Sequence, residues 1–241
     1  MFSRLSSGWR RWTQHWPSQC AVCHAWPAQR ICPACAARFA PPQPRCCTCA
    51  MPWPKASTTG GAPTQCSACL HQPPPLDACI AAVSYGYPWS RAIAQFKFQG
   101  DCGWAGALAA LLQGAPQAAA ALAAAHWVLP IPLSRQRLQQ RGFNQALLLA
   151  RQWAPDKTRA DLLLRIRHHT AQSQLQRAQR LSNLSGAFAI EPLHQAQLHG
   201  ARVVLVDDVM TTGATLHSAA VALRQAGAAH ITAVVVARTE R

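Results

Sequence analysis

The chain has 241 residues, enough for one domain of ordinary size and a small appendage. Half of the residues are hydrophobic, which excludes a disordered basic tail, and no apolar run has the length a membrane span needs. Lys and Arg number 23 against 8 Asp and Glu, a net charge of +15, and only Lys55, Lys97 and Lys157 are lysines. Guanidinium grips phosphate through two hydrogen bonds at once, so nucleic acid, nucleotides or sugar phosphates are the expected partners. Charge alone does not separate that reading from a bias in composition.

In chain order, Phe2, Leu5, Trp9, Trp12 and Trp16 recur at steps of three and four, which predicts an amphipathic helix over residues 1–19. Arg4, Arg10 and Arg11 lie off that stripe, and the helix either docks on the body or rests on a membrane surface. Arg10 and Arg11 stand where an export signal would need its apolar stretch, so a soluble, cytoplasmic protein is expected. Residues 20–75 are rich in Cys and Pro and cannot build a hydrophobic core of their own. Within them 50–65 reads as a loop, and Pro73, Pro74 and Pro75 mark a boundary. From residue 76 onward the texture becomes that of an α/β domain. Residues 79–85 and 92–98 are apolar stretches split by Pro88, and 105–125 is helical with a break near Gly114. A short β-prone run follows at 127–131, a helix at 144–153 and a strand at 162–166. Residues 202–206 form a strong strand, then come a helix near 214–226 and a β-branched run at 231–236. This alternation predicts a mainly parallel sheet flanked by helices, with a small N-terminal metal module.

Nine of the eleven cysteines fall between Cys20 and Cys69. Eight form four pairs of identical spacing: Cys20/Cys23, Cys32/Cys35, Cys46/Cys49 and Cys66/Cys69. A C-x-x-C turn aims two thiolates at one ion, and two such turns close a tetrahedral site. Eight thiolates match two structural Zn2+ ions, with an iron–sulfur cluster as the alternative. Spacing leaves open whether the pairs close in sequence or crossed. Cys47 falls inside a pair and is not expected to be a ligand. Metal would supply the folding energy this core-poor segment lacks.

The sharpest signal is VVLVDDVMTTGATL, residues 203–216. An apolar strand delivers Asp207 and Asp208 to its carboxyl end, where they repel each other unless sugar hydroxyls or a metal compensate them. Thr211, Thr212, Gly213, Ala214 and Thr215 then lead into a helix. Hydroxyls and backbone N–H groups around that glycine would cradle a phosphate.

This segment resembles the phosphoribosyl-pyrophosphate (PRPP) motif of type I phosphoribosyltransferases. The resemblance implies that Asp207 and Asp208 bind the ribose 2- and 3-hydroxyls and that the 211–215 loop binds the 5-phosphate. Phe96, Lys97 and Phe98, the run LPIPLSRQRLQQRGFNQA at 129–146, and the region of Gln172, Arg180, Asn183 and Phe188 precede it. Together with the C-x-x-C pairs, these make the chain resemble the ComF family, also represented by GntX-type proteins, over about residues 18–238. Members of that family are associated with competence and the use of imported DNA. The residue chemistry is consistent: Arg135, Arg137 and Arg141 could neutralise a departing pyrophosphate, and Gly142 would allow close backbone approach. Asn144 follows, Lys97 between two aromatics should have an anion partner, and Arg180 and Asn183 sit where related transferases carry a mobile hood.

Two functions compete. One is a transferase that displaces pyrophosphate from Mg2+-PRPP, a reaction that needs orientation and charge neutralisation rather than a dedicated nucleophile. The other is a non-catalytic PRPP-domain protein that binds single-stranded DNA or a competence-machinery partner through its zinc module and basic surface. The acceptor is not implied by the resemblance.

Overall fold

The computed structural model describes residues 18–26, 29–53, 64–166 and 186–240. They fall into two compact units, one ending at Pro41 and the other beginning at Pro42. The second group of four cysteines therefore belongs with the large unit. Most of the helix expected over 1–19 lies outside the described residues.

Among the described residues the small unit contains one helix, α1 (Pro33–Phe39). Proline at its start fits the fixed φ of a first helical turn, and the Cys32 side chain accepts the Cys35 N–H as its cap. The large unit opens with α2 (Ser67–His71). There follow β1 (Ala78–Ser84), α3 (Trp89–Phe98), α4 (Trp104–Gly114), α5 (Ala118–Ala124) and β2 (Trp127–Pro130). Next come α6 (Arg135–Arg141), α7 (Gln145–Trp153), β3 (Leu163–Arg165) and β4 (Phe188–Ile190). The chain ends with β5 (Arg202–Met210), α8 (Ala214–Gln225) and β6 (His230–Arg238).

The main sheet has the order β1-β6-β5-β2, and all of its pairs are parallel. β5 and β6 lie centrally, which is why both read as near-continuous β-branched runs. Alternate residues serve the two faces. Leu129, Val203, Leu205, Ile231, Ala233 and Val235 share one core cluster with Leu216, Ala219 and Leu223 of α8. The opposite face carries Val128, Val204, Val206, Val234 and Val236, all buried. β3 and β4 form a separate antiparallel pair. The expected α/β architecture, a parallel sheet flanked by helices, is the one observed. No single helix among the described residues is long and apolar enough to cross a membrane.

Candidate functional site

β5 runs to Met210, so the acidic pair lies on the strand rather than beyond it. Its alternation sends Asp207 and Asp208 in opposite directions, with Asp208 only 3% exposed. Lys97, near the end of α3, reaches Asp208 Oδ1 at 2.9 Å. Lys97 thus has an anion partner, and that partner is a member of the acidic pair. The Asp207 carboxylate accepts the Asp208 N–H at 2.8 Å. Burial, followed by the Asp208 charge, pushes the Asp207 carboxyl up to about 7.

Beyond Met210 the chain turns at Gly213 (φ +83°), the residue that leads into α8. Only glycine fits there. A Cβ would lie 2.6 Å from Met210 Cε and 2.8 Å from His217 Nε2, besides the left-handed backbone. That His217 nitrogen is buried and has no hydrogen-bond partner among the described residues. Burial, then the Arg238 charge, holds the imidazole below its usual range.

These elements converge on a cavity of roughly 360 Å³ at the carboxyl ends of the sheet strands, where ligands bind in open α/β sheets. Lys97, Arg137, Arg141, Asn144, Asp207, Asp208, Thr211 and Thr215 all line it. Thr212, Gly213 and Ala214 complete the loop without being among the lining residues. Arg180, Gln172 and Asn183 lie outside the described residues. Arg135 begins α6 but does not line the cavity.

Several expected residues have structural duties as well. Ser134 caps α6, accepting the Arg137 N–H at 3.3 Å. Gly142 ends α6 at φ +76°, and a Cβ there would meet nothing within 4 Å. It serves the positive φ of a helix end, and the open space beside it leaves room for the close approach expected from the sequence. Asn144 caps α7 by accepting the Leu147 N–H at 3.3 Å and donates to the Ile131 carbonyl at 3.1 Å. Arg141 stacks over the Phe98 ring at 5.3 Å and donates to Gln145 Oε1.

Sequence reasoning missed Arg165, Tyr85, Phe98 and Thr239 as lining residues. Arg165 sits on β3, over the Phe188 ring, and its guanidinium is depressed first by burial and then by the Arg137 charge. The signal available was an Arg inside an apolar strand, an expensive placement without an anion to meet.

The cysteine pairs close in sequence, not crossed. Cys20, Cys23, Cys32 and Cys35 form one group and Cys46, Cys49, Cys66 and Cys69 the other, with ligand atoms within 4.8 Å of one another in each. Cys23 and Cys32 sulfurs are 3.7 Å apart, as are those of Cys49 and Cys66. Four sulfurs bound at ~2.3 Å around a tetrahedral ion would lie roughly 3.8 Å apart, so each group could hold a metal ion.

The two groups are built alike. His24 N–H bonds the Cys20 carbonyl and Ala50 N–H that of Cys46, both at 2.9 Å, and His24 and Ala50 both have positive φ. Cys32 N–H donates to Cys20 Sγ and Cys66 N–H to Cys46 Sγ. Burial raises the Cys20 and Cys46 thiols, but backbone N–H groups of Cys23, Cys32 and Val22 around the first and of Cys66, Thr48 and Cys49 around the second outweigh it and bring them to about 6 and about 7. Cys47 is absent from both groups, as expected.

Comparison with known proteins agrees with this architecture. The phosphoribosyl transferase domain model matches residues 139–241. The chain is 34% identical over 172 residues to "Competence protein F" of Haemophilus influenzae, covering 69% of this chain and 75% of that one. It is 30% identical over 233 residues to "DNA utilization protein YhgH" of Salmonella typhimurium, covering 93% and 92%. It is 42% identical over 105 residues to "Competence protein ComFC" of Bacillus subtilis, covering 43% and 41%.

Proposed function

The chain belongs to the ComF family of competence and DNA-utilisation proteins, and on that premise we propose that it binds Mg2+-PRPP and transfers its ribose 5-phosphate to an acceptor, releasing pyrophosphate. The observation that carries this reading is convergence. One strand–loop–helix segment places two carboxylates and a glycine-centred threonine loop at the same cavity as Lys97, Arg137, Arg141 and Arg165.

In this reading the 211–215 loop holds the 5-phosphate through backbone N–H groups and threonine hydroxyls. Asp207 and Asp208 hold the two ribose hydroxyls, which fixes the sugar for loss of pyrophosphate through a cationic ribose. Arg137, Arg141 and Arg165 neutralise the pyrophosphate. Mg2+ supplies further positive charge to the pyrophosphate when bound. Lys97 now pairs with Asp208, so ribose binding exchanges that partner for a hydroxyl and frees the ammonium for an anionic oxygen.

The two four-cysteine groups each hold a structural Zn2+. Their close sulfur packing suits a single tetrahedral ion better than a cluster of several irons. Reduced thiols at such sites belong to a cytoplasmic setting.

The test is pyrophosphate release from Mg2+-PRPP with a panel of bases and single-stranded DNA as acceptors. Release with an acceptor is expected, and its dependence on the acceptor identifies the second substrate. The second reading is a non-catalytic protein in which PRPP regulates binding of single-stranded DNA or a competence partner. It is favoured by Phe98, 72% exposed at the cavity mouth beside Arg141, and by the net charge of +15. PRPP binding without pyrophosphate release, together with DNA binding that falls steeply with salt, would select it.

A further inference from the structure

Arg238, the last residue of β6, is 4% exposed, and its guanidinium donates to main-chain carbonyls of two distant segments and of its neighbour Thr239. Its Nε donates to the Cys49 carbonyl at 2.9 Å. Its Nη1 donates to the Met210 carbonyl at 3.1 Å, to the Thr211 carbonyl, and to the Thr239 carbonyl at 2.8 Å. Cys49 belongs to the second four-cysteine group, and Thr211 opens the threonine loop. One rigid, planar side chain therefore joins the backbone of a metal ligand to the backbone of the loop.

A second path runs beside it. Cys79 N–H donates to the Cys47 carbonyl at 2.7 Å, while Cys79 Sγ lies 3.5 Å from Met210 Sδ. Met210 Cε in turn lies so close under Gly213 that a Cβ would collide with it. Arg45 ties the same Cys turn to the carboxyl end of β1, donating to the Ala50 carbonyl at 3.0 Å and to Ser84 Oγ at 2.9 Å. The sheet register places Ser84, Arg238 and Met210 side by side across β1, β6 and β5.

We propose that Arg238 is a positioning residue that makes the second four-cysteine centre part of the scaffold of the 211–215 loop, so that metal at Cys46, Cys49, Cys66 and Cys69 and phosphate in the loop stabilise each other. The proposal rests on the loop being the phosphate site. Without metal, the Cys49 turn has four thiols in place of one ion to fix it, and the carbonyl that anchors Arg238 Nε moves. The guanidinium then no longer holds Met210 and Thr211 in a single arrangement. A coupling of this kind is reciprocal: whatever metal does for phosphate, phosphate does for metal. The first four-cysteine group belongs to the other compact unit.

The test uses the full chain with metal at both centres, a chromogenic chelator, and ribose 5-phosphate as the probe. In the wild type, saturating ribose 5-phosphate slows release of one of the two metals by about tenfold, the effect of one charged hydrogen bond. Cys20→Ser, which removes the first centre, leaves that slowed phase in place. Arg238→Lys keeps the charge but cannot span Cys49 and Thr211, and it abolishes the slowing.

Hydrogen exchange over residues 203–216 reads the same coupling without any ligand. Metal extraction raises it in the wild type and adds nothing in Arg238→Lys. The coupling is overturned if ribose 5-phosphate binds by calorimetry yet both metals leave at unchanged rates. It is equally overturned if slowing persists in Arg238→Lys, or if extraction leaves exchange over 203–216 unchanged. Failure of ribose 5-phosphate to bind the wild type sinks the phosphate-loop reading instead, and the exchange measurement then decides the coupling alone.

Discussion

The two adjacent aspartates have different surroundings, and so opposite expected effects on stability. Asp208 is buried against Lys97, so Asp208→Asn leaves an ammonium without its carboxylate and should destabilise the empty protein by about 1–3 kcal/mol. Asp207 is the strained member. Its carboxyl, ordinarily near 4, is raised to about 7 by burial and by Asp208. A raised carboxyl binds its proton more tightly when folded, so its contribution to stability is present below about pH 4 and lost as pH rises through about 7. Asp207→Asn should therefore melt like the wild type at pH 4 and above it at pH 8, the gap opening between those values. Equal melting temperatures across that range would mean that the strain is absent. In both variants the shift in melting temperature produced by Mg2+-PRPP should vanish, because asparagine lacks the charge that strengthens the bond to a ribose hydroxyl.

At the scale of elements, α5 shows how a weak sequence is held. AAAALAA has no charged group and begins at Gln117 in a left-handed conformation. Its carboxyl end is secured from outside. Lys157 Nζ donates to the carbonyls of Leu122, Ala123 and Ala125 at 2.8, 3.2 and 2.7 Å. A cation at the negative end of a helix dipole is favourable, and the Leu122 carbonyl accepts the Ala125 N–H besides the ammonium. Lys157→Met should cost about 1–2 kcal/mol in chemical denaturation while leaving ligand binding intact, and no loss would show that water replaces the ammonium. The break near Gly114 was legible in the sequence because glycine and proline punctuate there; the lysine cap was not, since 32 or more residues separate it from its carbonyls. The same contrast holds across the molecule. β5, β6 and the threonine loop could be read from β-branched runs and a local motif. By contrast, α6 carries no buried residue, so no apolar stripe announced it. β3 and β4 pair across the segment 167–185, and Arg165 enters the cavity through that long-range pairing. For Gly142 the sequence marks that a glycine is wanted, and only the fold shows the positive φ of a helix end there.

For the whole molecule, two four-cysteine groups of the same design belong to different compact units. The first lies in the unit ending at Pro41; the second is hydrogen-bonded into the large unit through Cys47, Arg45 and Arg238. Metal analysis of protein purified without chelator should give two zinc ions per chain, and less than one, or a coloured iron-containing preparation, would count against that. Cys20→Ser and Cys66→Ser should each lower the content to one, because each breaks one set of four cysteines. Their effects on the main melting transition should differ. Cys20→Ser breaks the group in the small unit, and the transition of the sheet should hold its temperature. Cys66→Ser releases a turn that satisfies Cys79, the edge strand at Ser84, and the Arg238 guanidinium. Three such hydrogen bonds are worth about 3 kcal/mol. For a chain of this size that is a fall of roughly 6–12 °C. Equal shifts for the two variants would mean that Arg238 carries no mechanical link between metal and loop.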